Sequence, residues 1–222
     1  MNCLGRSIRL PIRLKYCGNR SASDLQKSLQ SKADYIGLIF ADSKRKVEVE
    51  EVKQWLQMIE LGNKQLVGVF VNAPTELVVN VASQLPLSVI QCHGHETAAH
   101  VAAIKEATGL VVWKAIHHDD DAVSKMQQYA GVADGYVVDS RVSGAWGGTG
   151  VAFDWSNVPL YLEEAARQAV PCFIAGGITP KNVERLLAYR PYGIDISSGI
   201  EENGEKSVEK MREIEKKVAN YV

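Results

Sequence analysis

Cysteine is scarce: the 222 residues hold four, Cys3, Cys17, Cys92 and Cys172, with no Cys-x-x-Cys pair. A disulfide framework is thereby excluded, since small secreted domains need one and a chain of this length does not, and free thiols in a reducing compartment are expected. Excess charge is also lacking, with 25 Lys plus Arg against 26 Asp plus Glu and a formal net charge of −1. Nucleic acid and anionic membranes both demand a clear basic excess, so neither is an expected partner. No apolar run approaches the roughly 20 residues of a membrane span. Residues 1–10 carry Arg6 and Arg9 without the apolar stretch of a signal peptide, which makes the cytoplasm the expected location. Low-complexity linkers are missing too. The expected organisation is one domain over residues 11–222 behind a short N-terminal extension, residues 1–10. A hydrophobic content of 46% gives that domain a sizeable core.

What the chain does have is alternation. Short Val- and Ile-rich runs at 12–17, 34–40, 65–71, 88–93, 110–115, 135–139, 170–175 and 193–197 read as buried parallel strands. Amphipathic stretches at 23–31, 48–60, 75–84, 97–107, 120–129, 160–168, 181–188 and 206–221 read as helices between and after them. Eight strand-helix units fit a closed (β/α)₈ TIM barrel of the α/β class, although periodicity alone also admits an open doubly wound sheet.

The strand ends favour the barrel. Polar groups and glycines gather there: Cys17-Gly18, Gln91-Cys92-His93-Gly94, Asp139-Ser140, Ala175-Gly176-Gly177 and Ser197-Ser198-Gly199. Closure brings all of these to one face, where barrel enzymes place their chemistry. In the first strand Ile12, Leu14 and Tyr16 share one face while Lys15 and Cys17 share the other. Asp195 and Ser197 likewise oppose Ile194 and Ile196, so closure allows Lys15 and Asp195 to pair. The corners Gly176-Gly177 and Ser198-Gly199 follow strands seven and eight and precede helices. Their backbone N–H groups suit a phosphate, and glycine permits close approach.

Other signals carry less. Cys92, His93 and His95 resemble metal ligands, but alternation separates Cys92 from His93 and no zinc spacing follows, so no metal is expected. His117-His118 reads as a solvated loop pair. Gly147, Gly148 and Gly150 lack the GxGxxG spacing of a nucleotide loop. Trp55 reads as helix packing, and residues 209–217 as a solvated helix face.

Taken in order, these motifs resemble the phosphoribosylanthranilate isomerase family. Those that carry the resemblance are Lys15-Tyr16-Cys17-Gly18, Gly37-Leu38-Ile39-Phe40 with Ser43-Lys44-Arg45-Lys46-Val47, Gly68-Val69-Phe70-Val71-Asn72 and Gln91-Cys92-His93-Gly94. They continue with Asp139-Ser140, Gly147-Gly148-Thr149-Gly150, Phe153-Asp154-Trp155, Ala175-Gly176-Gly177 and Asp195-Ile196-Ser197-Ser198-Gly199 with Glu201. The resemblance implies a cofactor-free Amadori rearrangement of a phosphorylated small-molecule substrate in tryptophan biosynthesis. It makes Cys17 the general base and Asp139 the general acid, and places Arg45, Gln91 and His93 against the substrate. Gly176, Gly177, Ser198 and Gly199 become its phosphate site. Lys44 stands where proline is frequent in the family, and Cys92 where leucine is. Two alternatives share the fold: another phosphosugar-binding barrel enzyme, and a non-catalytic ligand-binding barrel. The sequence is compatible with a monomer or a homodimer.

The chemistry of the residues agrees with the resemblance. Opening a furanose needs a proton on the ring oxygen, and the resulting imine needs a base at C2. A carboxyl group and a thiol on distant strands suit those two tasks, a neighbouring Lys15 is expected to favour the thiolate, and Arg45 is expected to grip a substrate carboxylate through two parallel hydrogen bonds.

Overall fold

A computed structural model describes residues 11–140 and 152–221. Within it the eight expected strands form: β1 (Arg13–Tyr16), β2 (Tyr35–Ile39), β3 (Gln65–Phe70), β4 (Leu87–Cys92), β5 (Val111–His117), β6 (Gly135–Asp139), β7 (Cys172–Ile174) and β8 (Gly193–Ile196). They pair in sequence order, all parallel, and β8 returns to β1, so the sheet is a closed barrel. Around it run α1 (Ala22–Leu29), α2 (Val49–Met58), α3 (Thr75–Gln84), α4 (Ala98–Thr108), α5 (Ala122–Gln128), α6 (Val158–Arg167), α7 (Val183–Leu187) and α8 (Val208–Ala219). The N-terminal extension at residues 1–10 and the glycines Gly147, Gly148 and Gly150 lie outside the described residues. No helix among the described residues is long and apolar enough to cross a membrane.

Two cores follow from strand alternation. Ile12, Leu14 and Tyr16 join the large outer cluster between sheet and helices, together with Ile36, Leu38, Ile90, Cys92 and Ile194. The opposite parity fills the barrel with Cys17, Val67, Val69, Val89, Trp113, Ala115, Val137, Phe173 and Ala175. Toward the N-terminal strand ends this interior is aromatic. Trp113 and Phe173 have ring centroids 4.8 Å apart, and Tyr35 meets both at 4.9 and 5.4 Å. The plug fits because its strand neighbours have no side chain: a Cβ at Gly193 would lie 2.3 Å from Phe173 Cε1, and one at Gly135 2.8 Å from Trp113 Cδ1.

The seam between β1 and β8 sets Lys15 opposite Asp195. Lys15 Nζ donates to Asp195 Oδ2 at 2.7 Å, and the lysine is wholly buried. Burial is the largest single influence and pulls the ammonium pKa down, but Asp195 and Cys17 together outweigh it and hold the pKa above its ordinary value.

Two local expectations need correction. Strand β5 runs two residues further than expected, because its ladder with β6 continues to His117 opposite Asp139. His117 is therefore a strand residue of the same parity as Trp113 and Ala115. His118 is not simply solvated either: its Nδ1 lies 2.6 Å from Tyr161 Oη and its ring stacks on Phe153. The second correction concerns the last helix, which starts at Val208 rather than 206. Ahead of it β9 (Glu201–Glu202) and β10 (Glu205–Lys206) form an antiparallel hairpin. Its turn residues Asn203 and Gly204 both have positive φ, 50° and 85°, as a two-residue hairpin requires.

Two stability predictions follow. Gly193→Ala forces a methyl into the aromatic plug and is expected to cost about 1–3 kcal/mol in urea unfolding. Lys15→Met strands the Asp195 carboxylate and is expected to cost about 3–5 kcal/mol, most of it recovered when Asp195→Leu is added. A single mutant as stable as the parent would show that the pair does not hold the seam.

Candidate active site

A pocket of about 540 Å³ opens at the C-terminal ends of the strands. Cys17, Arg45, Gln91, His93, Asp139, Gly176, Gly177, Ser198 and Gly199 all line it, so the barrel brings every expected site residue together.

Cys17 sits one residue beyond β1, its backbone N–H bonded to the Ile196 carbonyl at 2.9 Å. Its thiol has room because residue 37 is glycine: a Cβ there would lie 2.6 Å from Cys17 Sγ. Asn19 braces the turn from below, donating to the Tyr16 and Gly37 carbonyls at 3.0 and 3.1 Å. Burial pushes the thiol pKa up, while Lys15 and, further down the order of effects, Lys206 pull it down. Burial prevails, so the pull expected of Lys15 is present but does not by itself bring the thiol below its ordinary value.

Arg45 reaches across the β1 turn, where Gly18 (φ 74°) leaves space; a Cβ there would meet Arg45 Cδ at 2.4 Å. Its fork is not open as the sequence suggested. Nε and Nη2 donate to the two carboxylate oxygens of Glu201, each at 2.7 Å. Lys206 completes the cluster, donating to Glu201 Oε1 at 3.0 Å and to the Cys17 carbonyl at 2.6 Å. Burial works to raise the Glu201 pKa, but the Arg45 hydrogen bond and the Lys206 charge hold it at about 2. Sequence reasoning missed Lys206, which it placed at the head of a solvated helix. The Asn203-Gly204 pair was the available signal that a hairpin would turn it inward.

Across the pocket Asp139 ends β6. Its Oδ2 lies 3.4 Å from His93 Nε2. Gln91 Nε2 lies 2.7 Å from His93 Nδ1 and holds the ring with its Nε2 edge toward the carboxyl. The turn that carries His93 is fixed from behind by a buried pair that was not anticipated. Lys114 Nζ donates to the Cys92, Gly94 and Ala115 carbonyls and lies 3.1 Å from Glu96, whose carboxylate accepts from the Gly94 and Asn72 N–H groups.

Between Cys17 and Asp139 lie the two glycine corners. Gly176 and Gly177 have φ of 85° and 63°. A Cβ at Gly199 would come 1.7 Å from the Ile178 carbonyl oxygen, so the β8 corner lies directly on the β7 backbone. Asn182 clamps this corner, donating to the Gly177 carbonyl at 2.9 Å and accepting from Thr179 N–H at 2.8 Å. Ser197 Oγ and Asp195 Oδ1 are buried beside it without a hydrogen-bond partner. Among the described residues no cluster of three or more His, Cys, Asp or Glu groups could hold a metal ion.

Comparison with known proteins agrees with this geometry. Residues 14–217 match the family model of N-(5'phosphoribosyl)anthranilate (PRA) isomerase. The chain is 69% identical over 211 residues to N-(5'-phosphoribosyl)anthranilate isomerase of Geobacillus thermodenitrificans, covering 95% of this chain and 96% of that one. Among solved structures, phosphoribosyl anthranilate isomerase of Thermotoga maritima superposes with a TM-score of 0.81 at 28% identity, covering 94% of this chain and 99% of that one. A phosphoribosyl anthranilate isomerase in complex with reduced 1-(o-carboxyphenylamino)-1-deoxyribulose 5-phosphate superposes with a TM-score of 0.79 at 27% identity and the same coverage.

The depressed Glu201 carboxyl makes a pH prediction. Its pKa in the folded chain, about 2, lies below its ordinary 4.5, so its contribution to stability is complete above pH 4.5 and is lost as pH falls toward 2. Urea midpoints measured down that range should fall more steeply for the parent than for Glu201→Gln. Parallel slopes would remove Glu201 from the acid response.

Proposed function

The chain belongs to the N-(5'-phosphoribosyl)anthranilate isomerase family and is an isomerase of tryptophan biosynthesis, and from that premise we propose that Cys17 is the general base and Asp139 the general acid of a ring-opening Amadori rearrangement. The observation that carries this is their placement: a thiol on β1 and a carboxyl on β6 line one pocket, with the glycine corners of β7 and β8 between them.

The steps follow from those positions. Asp139 donates its proton to the furanose ring oxygen as the bond from C1 to that oxygen breaks. The lone pair of the anthranilate nitrogen closes a C1=N bond and leaves an iminium. The Cys17 thiolate removes the C2 proton, the C2–H electrons form C1=C2, and the former C1=N pair returns to nitrogen. The enolamine then becomes the 1-amino-1-deoxyribulose phosphate by moving a proton from the enol oxygen to C1. The iminium is the electron sink, so this route asks nothing of a metal or organic cofactor.

Backbone N–H groups at Gly177, Ser198 and Gly199 are the proposed phosphate donors, since the positive-φ turn at 176–177 and the glycine at 199 leave room for an anion at the main chain. The anthranilate ring then extends toward Ile39, Val69 and Val71, which line the β2–β3 side of the pocket. Arg45 stands at that end, but with Nε and Nη2 committed to Glu201 it offers the substrate carboxylate its Nη1 edge rather than the two-bond fork expected from sequence.

Loss of anthranilate-adduct fluorescence tests the assignment. Cys17→Ser and Asp139→Asn are each expected to lower kcat by about 10²–10⁴-fold while substrate still binds. An open-chain substrate analogue should restore turnover to Asp139→Asn and not to Cys17→Ser. Ser198→Asp sets a carboxylate against the phosphate and is expected to raise KM at least about tenfold with kcat little changed. Wild-type turnover by Cys17→Ser would require another base.

A further inference from the structure

The steps above give no part to Lys206, although its side chain is wholly buried beside Cys17. Its backbone N–H donates to Asp24 Oδ1 on α1 at 2.8 Å, which anchors the root of the side chain. From there Nζ reaches three oxygens: the Cys17 carbonyl at 2.6 Å, Glu201 Oε1 at 3.0 Å and the Ser197 carbonyl at 3.3 Å. The Cys17 N–H is bonded to the Ile196 carbonyl, so with Lys206 both main-chain polar groups of Cys17 are tied. Glu201 in turn holds Nε and Nη2 of Arg45, each at 2.7 Å. Cys17 and Arg45 line the pocket whereas Lys206 and Glu201 do not, so any effect of Lys206 on the reaction passes through those two.

We propose that Lys206 is a positioning residue for both: it sets the Cys17 thiol by holding the carbonyl of that residue, and it sets the plane of the Arg45 guanidinium by holding the carboxylate that grips it. This rests on the reading of Cys17 as the base and of Arg45 as the contact for the anthranilate carboxylate. Cys17 lies one residue beyond β1, and Nζ takes its carbonyl where the strand has ended. A base displaced by about 1 Å from its working position can lose on the order of 10²-fold in rate. At Arg45, Gly18 gives the side chain space to cross the β1 turn, since a Cβ there would meet Arg45 Cδ at 2.4 Å, but space does not orient it. The orientation comes from Glu201. Its Oε1 accepts from both Lys206 and Arg45 Nε, and its Oε2 from Arg45 Nη2. Without Lys206 the two-bond pair of Arg45 and Glu201 stays whole but is free to swing as a unit, so the guanidinium turns without the pair breaking.

Two substrates separate the two links. The N-phosphoribosyl adduct of aniline lacks the carboxylate and reads the Cys17 end alone. The ratio of kcat/KM for the anthranilate adduct to that for the aniline adduct reads Arg45. Lys206→Met keeps an unbranched side chain and removes the donor. It is expected to lower kcat on the aniline adduct at least about tenfold, and to lower the ratio at least about tenfold. Glu201→Gln leaves Lys206 on the Cys17 carbonyl, so it is expected to lower the ratio while lowering kcat on the aniline adduct less than Lys206→Met does. A general loss of stability moves both substrates together and leaves the ratio parental. Lys206→Met with the parental ratio, or with the parental kcat on the aniline adduct, overturns the proposal. NMR of the unsubstituted protein gives a reading that does not depend on a variant folding. Protons on Lys206 Nζ should exchange with water at least about tenfold more slowly than those of the exposed Lys216, and equal rates overturn the proposal. A parent indifferent to the carboxylate would instead remove the Arg45 reading, and full turnover by Cys17→Ser the base reading, while the exchange rate still reports the Lys206 anchor.

Discussion

The buried ion pair between Lys15 and Asp195 is the constraint around which the site is built. A lysine with no exposed surface is tolerated only with a partner, and at this seam the partner is Asp195 on the neighbouring strand. Pairing Lys15 with Asp195 therefore fixes the register of β1 on β8 at the one seam where the chain is not continuous in strand order. Everything above that rung inherits the register. Cys17 follows Lys15 on the same face, Ser197 follows Asp195, and the Cys17 N–H completes the ladder to the Ile196 carbonyl. The pair also sets the field at the thiol, where Lys15 favours the thiolate and Asp195 opposes it.

The two ends of the pocket are consequently different media. Around Cys17 three cationic side chains converge from separate parts of the chain: Lys15 from β1, Arg45 from the β2 loop and Lys206 from β10. Among the described residues two carboxylates, Asp195 and Glu201, pair with them. Around Asp139 the polar neighbours are amide, hydroxyl and imidazole: Gln91 acting through His93, Ser140 and His93 itself. The proposed base must ionise and the proposed acid must hold a proton, tasks that call for opposite surroundings, and the barrel draws on different strands to build each end.

Much of this was legible in the sequence because strand alternation is local. Alternation assigns Lys15 and Cys17 to the inner face, and closure gathers the polar and glycine residues at the ends of β4, β6, β7 and β8 on one rim; the pocket is lined from those positions. The Lys15–Asp195 contact was readable too, since closure sets β8 beside β1. The unread parts depend on distant partners. Where β5 ends is decided by how far β6 accompanies it, so His117 looked like a loop residue. Arg45 showed a free fork because its partner Glu201 lies 156 positions away. The hairpin at 201–206 was hidden by a helical charge pattern that begins only two residues later.

That hairpin shows why the loop after β8 needs more than glycine corners. Arg45 belongs to a loop after β2 and Cys17 to a turn after β1. Glu201 and Lys206, on paired strands of the hairpin, join them through charge. Lys206 holds the Cys17 carbonyl and the Glu201 carboxylate, and Glu201 holds both donors on one edge of Arg45. A two-residue turn at Asn203-Gly204 makes this possible, since it folds Lys206 back opposite Glu201. A helix beginning at 206, as the charge pattern suggested, would give up that strand pairing. The inward aim of Lys206, and with it the orientation of Arg45 over the pocket, depends on backbone conformation at two residues that do not line the pocket.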